Sequence, residues 1–216
     1  MGSIRLNKLV SLLPCCKLLA DVGCDHGYVG IEALRLGKAR RIAFTDISQP
    51  SLNKARVNCP QEFSDAVTFH CQNGLGQIQA DVAVIAGMGG LEIISILQAA
   101  KYPPEKLVLQ PMRNQKDVRT FVSQSYEIVS DVKFFDGKFY DVIVANKCDT
   151  PTHLTEIELE FGKSNLSEPS QDFVSYLQLE LAKLNTILKG TTDAELTSRR
   201  NLVEQTLKFV LAKLKS

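Results

Sequence analysis

The apolar positions of this chain fall into short blocks whose period changes along its length. Leu6–Leu13 has the spacing of an amphipathic helix and stops at Pro14, which cannot continue one. Lys17–Val22, Arg41–Thr45, Val67–Cys71, Ala80–Ala86 and Lys106–Gln110 are runs of strand length, and Ala80–Ala86 is continuously apolar, as in a strand buried on both faces. Helical stretches lie between them: Tyr28–Leu36, then Ser48 to about Asn58 with a serine cap and Pro50 in the first turn. Leu91–Ala100, apolar at Leu91, Ile94 and Leu97, and Asn114–Ser123 complete the set. Tyr126–Phe135 and Lys138–Asn146 flank the tight-turn pair Asp136-Gly137, a hairpin signal. Alternating strands and helices closed by a hairpin predict an α/β fold with a doubly wound, mostly parallel sheet and an antiparallel edge.

After Asp149-Thr150-Pro151 the pattern is helical only. Phe173, Leu177, Leu181, Leu184 and Leu188 form one stripe; Leu196, Val203, Leu207, Val210 and Leu214 form a second. Gly190 ends the first helix, and Thr192 with Glu195 reads as a capping box for the second. Two such stripes joined by a short loop predict an antiparallel, coiled-coil-like hairpin. The expected organisation is a domain over residues 1–150 and a helical domain over 151–216.

Composition narrows the class. A chain of 216 residues holds one α/β domain and a small appendage. A hydrophobic content of 44% and a charged content of 23% are ordinary for a globular protein, and a net charge of +1 points to no nucleic acid by itself. Six cysteines lie scattered without a CxxC pair, and His26, His70 and His153 are far apart, so no metal is expected. The start Met1-Gly2-Ser3-Ile4-Arg5-Leu6 lacks the Ser/Thr of a myristoylation signal. The apolar stretch Leu9–Val22 is broken by Pro14, Lys17 and Asp21, so neither leader nor membrane span is expected. The expectation is a cytoplasmic monomer.

In an open parallel sheet, ligands bind beyond the carboxyl ends of the strands. The unusual residues cluster there: Asp21-Val22-Gly23-Cys24-Asp25-His26-Gly27 after the first strand, Asp46 after the second, Asn73-Gly74 after the third and Gly87–Gly90 after the fourth. Four clusters on one rim predict a cofactor cleft. Asp25 stands where a dinucleotide fingerprint has its second glycine, and a carboxylate there repels a pyrophosphate. S-adenosylmethionine carries a sulfonium, an ammonium and a ribose, all compatible with acidic neighbours. Asp46 suits ribose hydroxyls in either cofactor class. The Asn/Asp-Pro-Pro-aromatic sequence of enzymes that methylate exocyclic amines is missing; Ala86-Gly87-Met88-Gly89-Gly90 offers bare backbone instead. A ring nitrogen with a free lone pair needs no proton removed before it attacks a methyl group, so positioning alone suffices.

Asp21–Tyr28, Ile85-Ala86-Gly87-Met88-Gly89-Gly90 and Leu107-Val108-Leu109-Gln110-Pro111 together resemble the TrmK family, the bacterial tRNA (adenine(22)-N(1))-methyltransferases. Glu158–Gly162 and Tyr176-Leu177 with Glu180 are similar to that family's tail. The resemblance implies a class I methyltransferase (Rossmann-like) fold with a C-terminal coiled-coil-like domain, S-adenosylmethionine as cofactor and tRNA as partner. By matching position, Asp21, Gly23, Asp25, His26, Gly27, Asp46, Ile47, Asn73, Gly74, Ala86 and Gly87 would hold the cofactor. Gly87, Met88, Gly89, Gly90, Gln110 and Pro111 would line an adenine pocket. Two departures stand out: Gln72-Asn73-Gly74-Leu75 where the family has Gly-Asp-Gly-Leu, and Gln110-Pro111-Met112 where it often has Gln-Pro-Asn. No residue is assigned a proton-transfer role; His26 fits orienting Asp25 or the cofactor as well as acting as a base. The rival readings are a methyltransferase acting on another RNA, a protein or a small molecule, a nicotinamide-dependent oxidoreductase, and a non-enzymatic RNA-binding scaffold.

Local charge favours RNA. Arg5, Lys8, Lys17, Arg35, Lys38, Arg40 and Arg41 outnumber the acids of residues 1–45, and the hairpin adds seven Lys/Arg including Arg199 and Arg200. The hairpin is therefore expected to contact tRNA through Arg199 and Arg200, and residues 1–150 to bind cofactor alone.

Overall fold

The computed structural model describes residues 3–215; Met1 and Gly2, part of the start read for a lipid signal, lie outside them. Seven strands form one sheet: β1 (Cys16–Val22), β2 (Ala39–Asp46), β3 (Val67–Cys71), β4 (Val82–Met88), β5 (Lys106–Pro111), β6 (Tyr126–Asp136) and β7 (Lys138–Lys147). Their order is β3-β2-β1-β4-β5-β7-β6, with β1 to β5 parallel and β7 antiparallel to both of its neighbours. The chain reverses strand order between β1 and β4, the place where a doubly wound sheet opens a crevice.

Helices α1 (Ile4–Leu12), α2 (Tyr28–Arg35) and α3 (Gln49–Asn58) bury Leu9, Ile31 and Leu52 in the core of one face. On the other face lie α4 (Gly90–Gln98) and α5 (Gln115–Val122), with Ile93 and Val118 inward. The stripe expected on α4 is corrected. Ile93, Ile96 and Leu97 are buried, whereas Leu91 is 62% exposed. The start of α4 is pinned by the Gly90 amide donating to the Arg113 carbonyl, and that rotates the 93/96/97 face onto the sheet.

The remainder is helical: α6 (Glu156–Phe161), α7 (Lys163–Ser167), α8 (Gln171–Ile187) and α9 (Ala194–Lys213). Their core holds Phe161, Phe173, Leu177, Leu184, Val203 and Val210. The cap of α9 is not Thr192: Asp193 accepts from the Leu196 amide at 2.8 Å, because the helix begins one residue later than the Thr-x-x-Glu spacing requires. A complete capping box occurs instead at Thr155 and Glu158, opening α6.

This helical part seals the β6 edge of the sheet. Ser164 Oγ accepts from the Asp131 amide, Asn165 Oδ1 from the Lys133 amide and Asp172 from the Phe135 amide, while the Ser170 hydroxyl donates to the Lys133 carbonyl. Side chains thus satisfy an edge that another strand would otherwise pair. The join is fastened by Arg119 of α5, which is 1% exposed. Its Nε and Nη2 donate to Asp131 at 2.6 and 3.1 Å, Nη2 also donates to Asp141 at 2.9 Å, and Nη1 donates to the Leu159 and Glu160 carbonyls at 3.1 Å each. Every guanidinium N–H therefore has an acceptor. Lys133 Nζ completes the cluster on Asp141. Arg199 is likewise engaged, by Glu160 and Glu180, and Arg200 by Glu204 and Asn185. The pair expected to face RNA is tied up within the protein, so its charge reversal tests stability as much as binding.

Replacing Arg119 by alanine strands the buried Asp131 carboxylate and leaves Asp141 to Lys133 alone. Urea unfolding is expected to show a loss of about 3–5 kcal/mol; a loss below about 1 kcal/mol contradicts the fastening role.

Candidate active site at the carboxyl ends of the strands

The turn after β1 is held by backbone bonds to the end of β2. The Gly23 and Cys24 amides both donate to the Thr45 carbonyl, at 2.8 and 3.1 Å, and the Gly27 amide donates to the Cys24 carbonyl at 2.7 Å. The Asp25 amide donates to Asp46 Oδ2 at 3.2 Å, and the Ser48 amide to Asp46 Oδ1 at 2.8 Å. The loop's amides are thus consumed internally, which leaves Gly23, Cys24, Asp25 and Gly27 without a donor for a pyrophosphate. Asp25 does not cap α2; Gly27 occupies the N-cap, and the Asp25 carboxylate meets Lys54 at 3.0 Å and His26 at 3.5 Å. The His26 ring stacks on Tyr28 with centroids 5.2 Å apart, and Asn58 of α3 donates to its carbonyl.

A cleft of about 630 Å³ opens beside this turn, within the range of small-ligand sites. Asp21, Gly23, Asp25 and His26 line it from the β1 side, and Ala86, Gly87 and Met88 from β4. Gly27, Asp46, Ile47, Asn73, Gly74, Gly89, Gly90, Gln110 and Pro111 lie outside that lining. Asp46 joins it through Asp25. Gln110, opposite Ala86 in the ladder, is fully buried. Gly87 is the extra residue of a bulge, since Ala86 pairs with Gln110 and Met88 already with Pro111; its φ of +82° suits glycine. The bulge sends the Met88 side chain across Gly23, where φ is +65° and a Cβ would collide with the Met88 methyl.

Asp21 is buried behind the cleft, with Oδ2 accepting from the Gly30 amide at 2.9 Å. Burial pushes its carboxyl up to about 7, against the Gly30 bond and with the help of the Asp46 charge. Burial also holds the Cys24 thiol well above its ordinary range, so it stays protonated and weakly nucleophilic. Among the described residues no cluster of His, Cys, Asp and Glu is arranged to hold a metal. No described helix is long and apolar enough to cross a membrane. Sequence reasoning placed Arg5 among general basic residues and missed it as cleft lining, together with Ser3, Leu6 and Leu9. Nothing in local spacing links α1 to a residue over a hundred positions away.

A family model described as Methyltransferase domain matches residues 2–143. The tRNA (adenine(22)-N(1))-methyltransferase of Bacillus subtilis (strain 168) is 31% identical over 169 residues, 74% of this chain and 71% of that protein. The chain belongs to the TrmK family. Two solved structures extend the TrmK likeness into the helical tail. M. capricolum TrmK in complex with the cofactor product S-adenosyl-homocysteine has a TM-score of 0.86 at 26% identity, covering 97% of this chain and 99% of that one. Streptococcus pneumoniae Sp1610 in complex with S-adenosyl-L-methionine has a TM-score of 0.86 at 27% identity, covering 96% and 100%.

The raised carboxyl of Asp21 has a measurable sign. Between the unfolded value of about 3.9 and about 7, the folded chain keeps a proton that the unfolded chain gives up. Stability from this group is therefore present at low pH and is lost as pH rises through that window. Denaturant titrations at pH 5 and pH 8 are expected to show Asp21→Asn gaining on the wild type as pH rises. A gap independent of pH contradicts the assignment.

Proposed function

We propose that this chain transfers a methyl group from S-adenosylmethionine to N1 of adenine 22 in tRNA, acting in the cytoplasm. The observation that carries the reading is the bulged glycine turn at Gly87, set against an acidic cleft wall in a chain of this family. An exocyclic-amine enzyme needs polar groups to take up the amine; backbone alone serves a ring nitrogen already carrying a lone pair. The residues fit the cofactor: Asp21 and Asp25 are complementary to a cationic amino acid moiety, and Asp46 ends β2 beside them. When bound, the cofactor supplies a methyl group on a sulfonium. The chain's own task is to orient. Asp46 holds the Asp25 amide and offers carboxylate oxygens to hydroxyls, Gly87 and Met88 shape the base side of the cleft, and His26 is fixed by Asn58 and Tyr28. The proposed division of labour gives cofactor and base to residues 1–150, and to residues 151–216 the sealing of the sheet edge together with further RNA contacts. The consumed loop amides weigh against a nicotinamide dinucleotide.

Incubating the protein with an unmodified tRNA transcript and cofactor is expected to yield 1-methyladenosine on nucleoside mass spectrometry. A product methylated only on an exocyclic amine, or only on protein, overturns the reading. Asp46→Ala is expected to weaken S-adenosylmethionine binding by about 2–4 kcal/mol in calorimetry, the loss of two hydrogen bonds to a carboxylate. Unchanged affinity removes Asp46 from the site.

A further inference from the structure

The base side of the cleft holds a cation that the sheet motifs do not account for. Arg5, in the first turn of α1, is anchored three times. Its amide donates to Asp136 Oδ2 at 2.9 Å, its Nε donates to Gln110 Oε1 at 2.7 Å, and its guanidinium lies 5.5 Å above the centre of the Tyr140 ring. One terminal nitrogen stands 2.9 Å from where a Cβ on Gly87 would be, so the side chain covers the bulge. Among the described residues no acceptor bonds either terminal nitrogen. Gln110 is fully buried beneath it, with its own Nε2 on the Met112 sulfur, so Gln110 meets the cleft only through Arg5. Lys138 shares the Tyr140 ring from 5.3 Å, and Arg113 lies along Gly89, its Nε 3.3 Å from where a Cβ there would sit.

We propose that Arg5 is the phosphate fork of this site: it binds a backbone phosphate of the target nucleotide, and Gln110 is the positioning residue that aims it. This rests on the RNA methyltransferase reading above. The chemistry selects phosphate over ring. Moving a methyl group from a sulfonium to a neutral ring nitrogen leaves the base cationic, so a fixed guanidinium facing that nitrogen opposes the charge as it develops. Facing a phosphodiester it meets an anion, and a planar fork with free terminal N–H groups matches two phosphate oxygens. The Nε bond to Gln110 takes up the side-on edge of the guanidinium, leaves the two terminal nitrogens as the end-on pair for such a fork and fixes their plane. Arg113 and Lys138 extend the positive strip on either side of the bulge. Arg199 and Arg200, bound internally, are poorly placed for this task.

The test measures affinity of the full chain for an unmodified tRNA transcript at several salt concentrations, for wild type, Arg5→Gln and Gln110→Glu. Gln110→Glu keeps the guanidinium held, now by a carboxylate that neutralises it. Both variants are expected to bind tRNA about tenfold more weakly at low salt. Both should also flatten the plot of log affinity against log salt by about one unit, the signature of one phosphate contact. S-adenosylmethionine affinity should stay within about twofold, and the melting temperature of Gln110→Glu should not fall. Unchanged affinity, or weaker binding at an unchanged slope, overturns the proposal: the second result would mean a base contact or a purely structural role. Because the slopes are read without turnover, they stand or fall separately from the identity of the methylated nucleoside in the wild type.

Discussion

A guanidinium taken out of water must find acceptors for all five of its N–H groups, and the way Arg119 meets that demand organises one half of this molecule. Its partners come from β6, β7 and the end of α6, so α5, the antiparallel edge of the sheet and the start of the helical tail are joined at one point. The Leu159 and Glu160 carbonyls lie in the last turn of α6, where a helix has carbonyls to spare and a partial negative charge. Two carboxylates facing one guanidinium would leave an excess of negative charge, and Lys133 on Asp141 removes it. Such a cluster adds little net stability compared with a well-packed apolar core, but it tolerates few alternative arrangements. Register between β6 and β7 and the docking of the tail are set together.

The other half is organised by backbone. Parallel strands end in carbonyls and amides without partners, and this chain spends those groups on one another. Thr45 accepts two amides from the turn after β1, and Asp46 takes the next one with its side chain. The turn is thereby rigid without any ligand, and what it presents to the cleft is carboxylate rather than amide. An exposed carboxylate beside bonded amides suits a cationic ligand better than an anionic one. Binding energy need not be spent on ordering the loop.

Most of the sheet was legible because parallel strands buried on both faces are short apolar runs, and because β6 and β7 meet at Asp136-Gly137. The rim motifs were legible because glycine and aspartate at strand ends stand out against such runs. The phase of α4 was not: Leu91, Ile93, Ile94, Ile96 and Leu97 offer two apolar faces, and a single tertiary bond at Gly90 chooses between them. The α9 cap slipped by one residue because threonine and aspartate are both N-cap residues and the Thr-x-x-Glu spacing outweighed the stronger cap, whereas the helix starts from Asp193. Nothing in the sequence singles out Arg119, and Arg199 read as a cation facing RNA, since the acids that bind them are remote in sequence. Arg5 read only as one of several basic residues for the same reason, its side-chain partner Gln110 lying 105 residues away.

The sealed β6 edge has a consequence for biogenesis. On the ribosome the seven strands emerge before the serine, asparagine and aspartate side chains of residues 164–172 that cover that edge. At chain growth of roughly 5–20 residues per second, the edge waits on the order of seconds for its cover. During that interval nascent chains on one polysome carry the same open strand, and strand-to-strand pairing between neighbours competes with completion of the fold. The partners of the β6 edge are thus supplied only after the whole sheet has been synthesised, and loss of the tail is expected to lower solubility before it alters catalysis.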